Sequence, residues 1–420
     1  MRFAHLRQPW FGASARAATS APAAGPQLAP ITPSAPIAPN CPPPGHARRL
    51  LILSVSAGAG HTRAAEALVC SANASDALVA THVDVMNFVA PGFRRLYVDC
   101  YLKLAAHYPT LWGLLYRYMQ QCDPDSLVQK LRRKLERFAA RSLLQEIGRH
   151  RPDAIICTHF LPAEILAHHI RHHGFSVPVW VQVTDFDVHP IWVQQGMAGY
   201  FAGNPEVAFR MQALGLAPEQ IQSSGIPIMP AFTNIPSRDD CARELGIEAH
   251  RTTLLLMGGG AGLGALDLVA ERLLGMAADF QLIVMAGRNT ALLARLRVLA
   301  RRYPGRLIAQ GFTENVERIM ACADIAITKP GGLTSAECLA LGLPMILTAP
   351  IPGQEERNAD YLLEQAVALK ACDSTTLEYR IRYLLEHPTE LAAMRARALA
   401  LGQADAAQRV VGRVTSKFCA

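Results

Sequence analysis

Three short stretches of this 420-residue chain combine glycines with side chains able to take a proton or accept hydrogen bonds. The first is "SAGAGH", Ser56 to His61, set between the apolar run "RLLILSVS" and the alanine-rich "RAAEALVCSANA". Its glycines allow tight turning and close backbone approach, and a helix start there favours negative charge. The pattern is only G-x-G, without the third glycine of a dinucleotide fingerprint or the lysine of a P-loop. On this stretch alone His61 reads as a helix-start histidine bonded to backbone. The second is "MGGGAGLG", Met257 to Gly264, directly after "TLLL". Gly259 and Gly260 can cradle phosphate there, or simply let helix pack on strand. No lysine or Ser/Thr stands in the Walker position, which disfavours ATP hydrolysis.

The third stretch, "ITKPGGLTSAECLALGLPMILTAPIPGQEERNADYL", is the richest. Pro330 and Gly331–Gly332 end a strand, and Leu333, Thr334 and Ser335 open a helix. Glu337 follows in its first turn, where a carboxylate can accept both hydroxyls of a ribose. Gln354, Glu355 and Asn358 gather polar groups on a later loop and helix start, a set suited to sugar hydroxyls. Capping alone would explain one polar helix start but not both clusters. Two further patterns suggest metals. "TDFDVHP" holds Asp185-x-Asp187, yet it ends a strand of the first half, so Asp185 reads as a cleft residue orienting His61 or an acceptor, or as a strand-end cap. "HHIRHH", His168 to His173, has i,i+4 spacing without a matching carboxylate, and reads as histidines near a helix C-terminus.

These loops need strands and helices to hold them. From Arg48 onward short apolar runs ("RLLILSVS", "ATHVDVMNF", "PDAIICTHF", "VPVWVQVTDF", "GYFAGN") alternate with amphipathic helical stretches, one of them closed by Gly174. The proline-bearing "SSGIPIMPAFTNIPS", Ser223 to Ser237, reads as a linker. The alternation then restarts with "TTLLLM", "QLIVMAG", "RLIAQGF", "ADIAITKPGG" and "PMILTAP". Strands alternating with helices predict parallel sheets covered on both faces. The expectation is an α/β chain of two Rossmann-like, doubly wound domains facing a cleft, residues 48–232 and 233–420, the second with terminal helices, and a nucleotide site between them.

The composition sets the class. Half of the residues are hydrophobic and 18% charged, which fits a globular body. A net charge of +7 suits an anionic surface or substrate rather than nucleic acid. The ten cysteines form no C-x-x-C pair, so neither a zinc ribbon nor a disulfide scaffold is indicated. No apolar run reaches the roughly 20 residues of a membrane-spanning helix. Residues 1–47 are Ala/Pro-rich without a single acidic residue and read as a disordered tail, with a transit peptide as the other reading. "GFRRLYVDCYLKLAAHYPTLWGLLYRYM" mixes basic and aromatic residues, among them Arg94, Arg95, Tyr97 and Trp112, as an interfacial helix would.

The segments "SAGAGHTRAAEAL", "VTDFDVHPIWV", "YFAGNPEVAFRM", "SGIPI", "GFTENV" and "KPGGLTSAECLALGLPMIL…PGQEERNADYL" run in one order along most of the chain. That order resembles glycosyltransferase family 28, in its monogalactosyldiacylglycerol synthase and processive diacylglycerol glucosyltransferase branch. The resemblance implies a GT-B fold and inverting transfer of galactose or glucose from UDP-galactose or UDP-glucose to diacylglycerol, with no metal and no other cofactor. It implies His61 as the base and Glu337 on the ribose. It places Gln354, Glu355 and Asn358 at the sugar, Phe312 and Thr313 at the uracil, and Arg288 within reach of the phosphates or, otherwise, at a strand end. The helix starts after Gly260 and Gly332 would hold the diphosphate. Such an enzyme works peripherally at the cytoplasmic face of an anionic membrane. Other readings are a GT-B transferase for another lipid-linked or secondary-metabolite acceptor, as in the peptidoglycan GlcNAc transferases, and a nonenzymatic nucleotide-sugar-binding protein.

Overall fold

Buried aliphatic runs flanked by glycine loops leave little choice but parallel strands covered by helices, and a computed structural model has that form. It describes residues 47–56, 58–88, 141–258 and 265–418, all within one compact unit. The tail, the stretch holding Arg94, Arg95, Tyr97 and Trp112, and Gly259 and Gly260 lie outside the described residues.

The first sheet contains β1 (Arg48–Ser54), β2 (Leu78–Asp84), β3 (Ala154–Cys157), β4 (Val179–Gln182), β5 (Gly199–Ala202) and β6 (Ile221–Ser223), in the order β2-β1-β3-β4-β5-β6. The second contains β7 (Thr253–Met257), β8 (Gln281–Gly287), β9 (Leu307–Gly311), β10 (Ile325–Thr328), β11 (Met345–Thr348) and β12 (Ala368–Ala371), in the order β12-β11-β10-β7-β8-β9. Every pairing is parallel. Both sheets are doubly wound. The chain reverses direction between β1 and β3 in one and between β7 and β10 in the other. The loops leaving those four strands therefore border the crevices where such sheets bind ligands.

Five helices position the site: α1 (Ala59–Ala72), α2 (Phe160–His173), α3 (Gly332–Ala340), α4 (Gln354–Glu364) and α5 (Ala406–Ser416). Each sheet carries buried aliphatic clusters on both faces. The two sheets are tied together more extensively than a tether would allow. α5, from the C-terminal half, buries Ala407, Val410 and Val414 against Leu50 and Ile52 of β1 and Leu68 of α1 in the first half. In the proline-bearing stretch, Ile226, Ile228 and Phe232 are buried in the core of the second sheet.

Candidate active site

His61 lies inside α1, not at its cap, and its ring crosses to the neighbouring strand ends. Nδ1 lies 2.9 Å from the Thr158 carbonyl oxygen after β3 and 2.9 Å from Thr184 Oγ1 after β4. A carbonyl oxygen only accepts, so Nδ1 carries the proton and Nε2 the lone pair. No hydrogen-bond partner for Nε2 exists among the described residues. Thr158 closes the arrangement from the other side, its hydroxyl donating to the His61 carbonyl at 2.9 Å. Burial lowers the His61 pKa to about 4, against a smaller raising effect of the bond to Thr158. The imidazole is thus neutral at physiological pH, and its titration falls below the ordinary histidine range. The expected backbone bond of a structural histidine is present, and it fixes a ring whose other nitrogen keeps its lone pair.

Thr184 also joins the two halves. Its carbonyl abuts Gly332 at the start of α3, where any Cβ would collide with it. Gly332 is therefore required by close backbone approach, whatever else the helix start binds. A Cβ on Gly60 would lie 3.8 Å from Leu333 Cβ, so the starts of α1 and α3 are neighbours. That brings Glu337 to the same crevice as His61. Glu337 is only 6% exposed, and no hydrogen bond to its carboxylate is present among the described residues. Burial raises its pKa to about 7, opposed by the charge of Arg63 and reinforced by Glu317.

Asp185 does not orient His61. Its Oδ1 accepts from Asn358 Nδ2 at 3.1 Å and its Oδ2 accepts from Gln354 Nε2. Burial raises its pKa to about 6; the bonds from Asn358 and Gln354 lower it, and Glu355 and Asp187 raise it further. The assignment of Asn358 to a sugar is likewise corrected. Its Oδ1 accepts from Phe186 N at 2.9 Å, and Nδ2 donates to both Asp185 and the Pro330 carbonyl. Both Nδ2 protons and one of the two Oδ1 lone pairs are thereby engaged within the chain, and the residue is fully buried. Gln354, Arg357, Asn358 and Tyr361 recur at i, i+3, i+4 and i+7, one face of α4. Arg357 pairs with Asp187 at 3.2 Å, and Tyr361 stacks on Phe186 with centroids 5.1 Å apart. The "TDFD" segment is thus the surface on which α4 clasps the first half. Asp187 is also held by Arg210 at 2.8 Å.

Glu355 accepts from Ile351 N at 2.7 Å, and burial raises its pKa. Arg288 and Phe312 leave the C-terminal ends of the paired strands β8 and β9. Both are exposed, and the guanidinium lies 4.4 Å from the centroid of the ring. Thr313 Oγ1 accepts from Asn315 N at 3.1 Å, and Thr334 is half-buried at the start of α3. The histidines of "HHIRHH" form ring pairs 4.7 and 4.9 Å apart along α2. Among the described residues no group of three or more His, Cys, Asp or Glu is arranged to hold a metal. The sequence reading missed Thr158, His159 and Thr184. Their position after β3 and β4, beside the reversal of the first sheet, was the available signal.

The crevice between two doubly wound parallel sheets is the architecture of the GT-B fold. A crystal structure of Acinetobacter baumannii MurG shares that fold, with a TM-score of 0.56 at 15% identity, covering 88% of this chain and 99% of the other. Residues 61–228 match the monogalactosyldiacylglycerol (MGDG) synthase family, and residues 253–410 match the glycosyltransferase family 28 C-terminal domain. A processive diacylglycerol beta-glucosyltransferase of Bacillus pumilus is 28% identical over 83% of this chain and 89% of its own length. The chloroplastic monogalactosyldiacylglycerol synthase of Spinacia oleracea is 30% identical over 78% of this chain and 64% of its own length. The chain belongs to this branch of glycosyltransferase family 28 and is a UDP-sugar-dependent hexosyltransferase of glycolipid synthesis.

Proposed function

We propose that the protein transfers galactose or glucose from its UDP-sugar to the hydroxyl of diacylglycerol with inversion at the anomeric carbon. The observation that carries this reading is the fixed tautomer of His61, with Nδ1–H spent on Thr158 and Nε2 left to accept a proton. The acceptor oxygen attacks C1 of the sugar, its proton passes to Nε2, and the bond from C1 to the diphosphate breaks with its electron pair leaving on UDP. A base of low pKa is weak, so proton removal must accompany attack, when the hydroxyl has become acidic. Glu337 accepts the ribose hydroxyls. Arg288 and Phe312 line the nucleotide end, and the start of α3 offers its backbone N–H groups to the diphosphate. No metal or other cofactor is required in this scheme. Transfer would occur at an anionic membrane surface on its cytoplasmic side, reached peripherally. Among the described residues no helix is long and apolar enough to cross a membrane.

The test is to incubate the purified protein with diacylglycerol vesicles and each UDP-sugar, with and without EDTA, and identify products by mass spectrometry. A β-linked hexosyl-diacylglycerol formed from an α-linked donor, undiminished by EDTA, is the expected result. A retained α-linkage, or no glycolipid from either donor, would refute the proposal.

A further inference from the structure

His61 does not stand alone in its crevice. The ring of His159 meets it edge to face, with centroids 4.6 Å apart and planes at 83°. His159 is buried and immobilised, because it caps α2: its Nδ1 accepts the Leu161 N–H at 3.1 Å. That bond places its proton on Nε2, the opposite tautomer to His61. Phe160 packs against the His159 ring at 4.1 Å, and Trp192 lies about equally far from both histidine rings, at 6.2 and 6.1 Å. Three consecutive residues thus serve the base: Thr158 supplies the acceptor, His159 a wall, and Phe160 the backing of that wall.

We propose that His159 is a positioning residue for His61, its capped ring holding the plane of the neighbouring imidazole and excluding water from its face. The position needs an aromatic ring and a cap acceptor at once. Asn, Asp, Ser and Thr provide the cap without the ring, and Phe provides the ring without the cap; histidine provides both. The proposal rests on the reading of His61 as the base. Burial lowers the pKa of both histidines, and a charge on His61 lowers that of His159 further, so the pair is stable only when neutral.

Several titratable groups of the surrounding elements have partners of their own. Asp185 is bound by Gln354 and Asn358, Asp187 by Arg210 and Arg357, and Arg63 on α1 by Glu66. Glu337 faces Arg63, and His189 Nδ1 accepts from Ile191 N. His159, in direct edge-to-face contact, is the group whose removal should be felt at His61.

Two variants separate the roles. His159→Asn keeps the cap and removes the ring, whereas His159→Phe keeps a ring and removes the cap. The readouts on the full chain are imidazole NMR titration of His61, the acidic limb of kcat/KM for glycolipid formation, and Tm. In His159→Asn the His61 midpoint should rise by about one pH unit or more as water reaches the ring, with the acidic limb following. In His159→Phe both should stay in place while Tm falls by about 2–4 °C. An unmoved His61 midpoint in His159→Asn, or an equal rise in both variants, overturns the proposal. A midpoint that rises while the acidic limb stays put overturns His61 as the base and leaves the packing role standing. A fully active His61→Ala protein would do the same.

Discussion

Asp185, after β4 in the first half, and Glu337, on α3 in the second, are two carboxylates buried to nearly the same degree, 4% and 6% exposed. Burial raises both, to about 6 and about 7. Their surroundings differ in one respect. Asp185 has both oxygens met by side-chain amides of α4, whereas among the described residues Glu337 has only the nearby charge of Arg63. A buried polar group without a hydrogen bond costs free energy, and the amides of α4 spare Asp185 that cost. The satisfied carboxylate is part of the frame. Glu337, without such bonds, is the one proposed for the ribose.

The sharpest way to break this contrast is to remove each carboxylate in turn. Asp185→Ala strands the amides of Gln354 and Asn358, and should cost about 2–5 kcal/mol of stability in urea unfolding. Glu337→Ala should leave stability unchanged or slightly higher, because it removes a poorly compensated buried acid. Its effect belongs to the ligand: UDP affinity should fall about 10- to 150-fold by calorimetry, the loss of a charge-assisted hydrogen bond worth about 1.5–3 kcal/mol. If Glu337→Ala unfolds as readily as Asp185→Ala and still binds UDP normally, the two carboxylates are the same kind of residue and the distinction fails.

The same contrast explains what could be read from the sequence. The alternation of apolar runs and helices marks the β/α pattern of both sheets, because parallel strands are buried on both faces and leave continuous hydrophobic runs. The three-residue β6 and the half-buried β12 carry too few apolar residues to stand out. Glycine loops and the types of His61, Glu337 and Gln354 mark the crevice. What residue type does not reveal is who satisfies a polar group. Asn358 has the chemistry of a sugar-binding amide, but its partners at Phe186 and Asp185 lie 172 and 173 positions away and appear only once α4 docks. His159 was hidden for the same reason: its cap is local, but its contact with His61 spans two strand ends of the first sheet.

A smaller effect sharpens the comparison through pH. In the proposed role Glu337 would accept ribose hydroxyls best when ionised, so UDP affinity should weaken as pH falls through about 7. Between pH 8 and pH 6 the weakening should reach about tenfold. Titrating Glu337→Gln in parallel removes this component and leaves only what UDP itself contributes; parallel curves for the two proteins would take Glu337 out of the site. Stability has the opposite sign. An acid raised by burial stabilises the fold below its ordinary pKa and loses that contribution as pH rises through the raised value. For Asp185 the window runs from 3.8 to about 6. Asp185→Asn should therefore remove part of the decline in wild-type stability across that window.

The smallest effect concerns the outer edge of the clasp. Arg357 pairs with Asp187 at 3.2 Å, but its side chain is 42% exposed and Asp187 keeps Arg210 when Arg357 is gone. Exposed pairs of this kind are screened by water and salt and contribute about 0–1 kcal/mol. Arg357→Ala should therefore cost less than about 1 kcal/mol in urea unfolding, and the difference should shrink further in 1 M salt, where the Debye length is about 3 Å. The deficit of Asp185→Ala, which comes from buried amides left without an acceptor, should persist in the same salt. Equal losses from the two variants, both erased by salt, would mean that α4 is held by surface charge and not by the buried carboxylate.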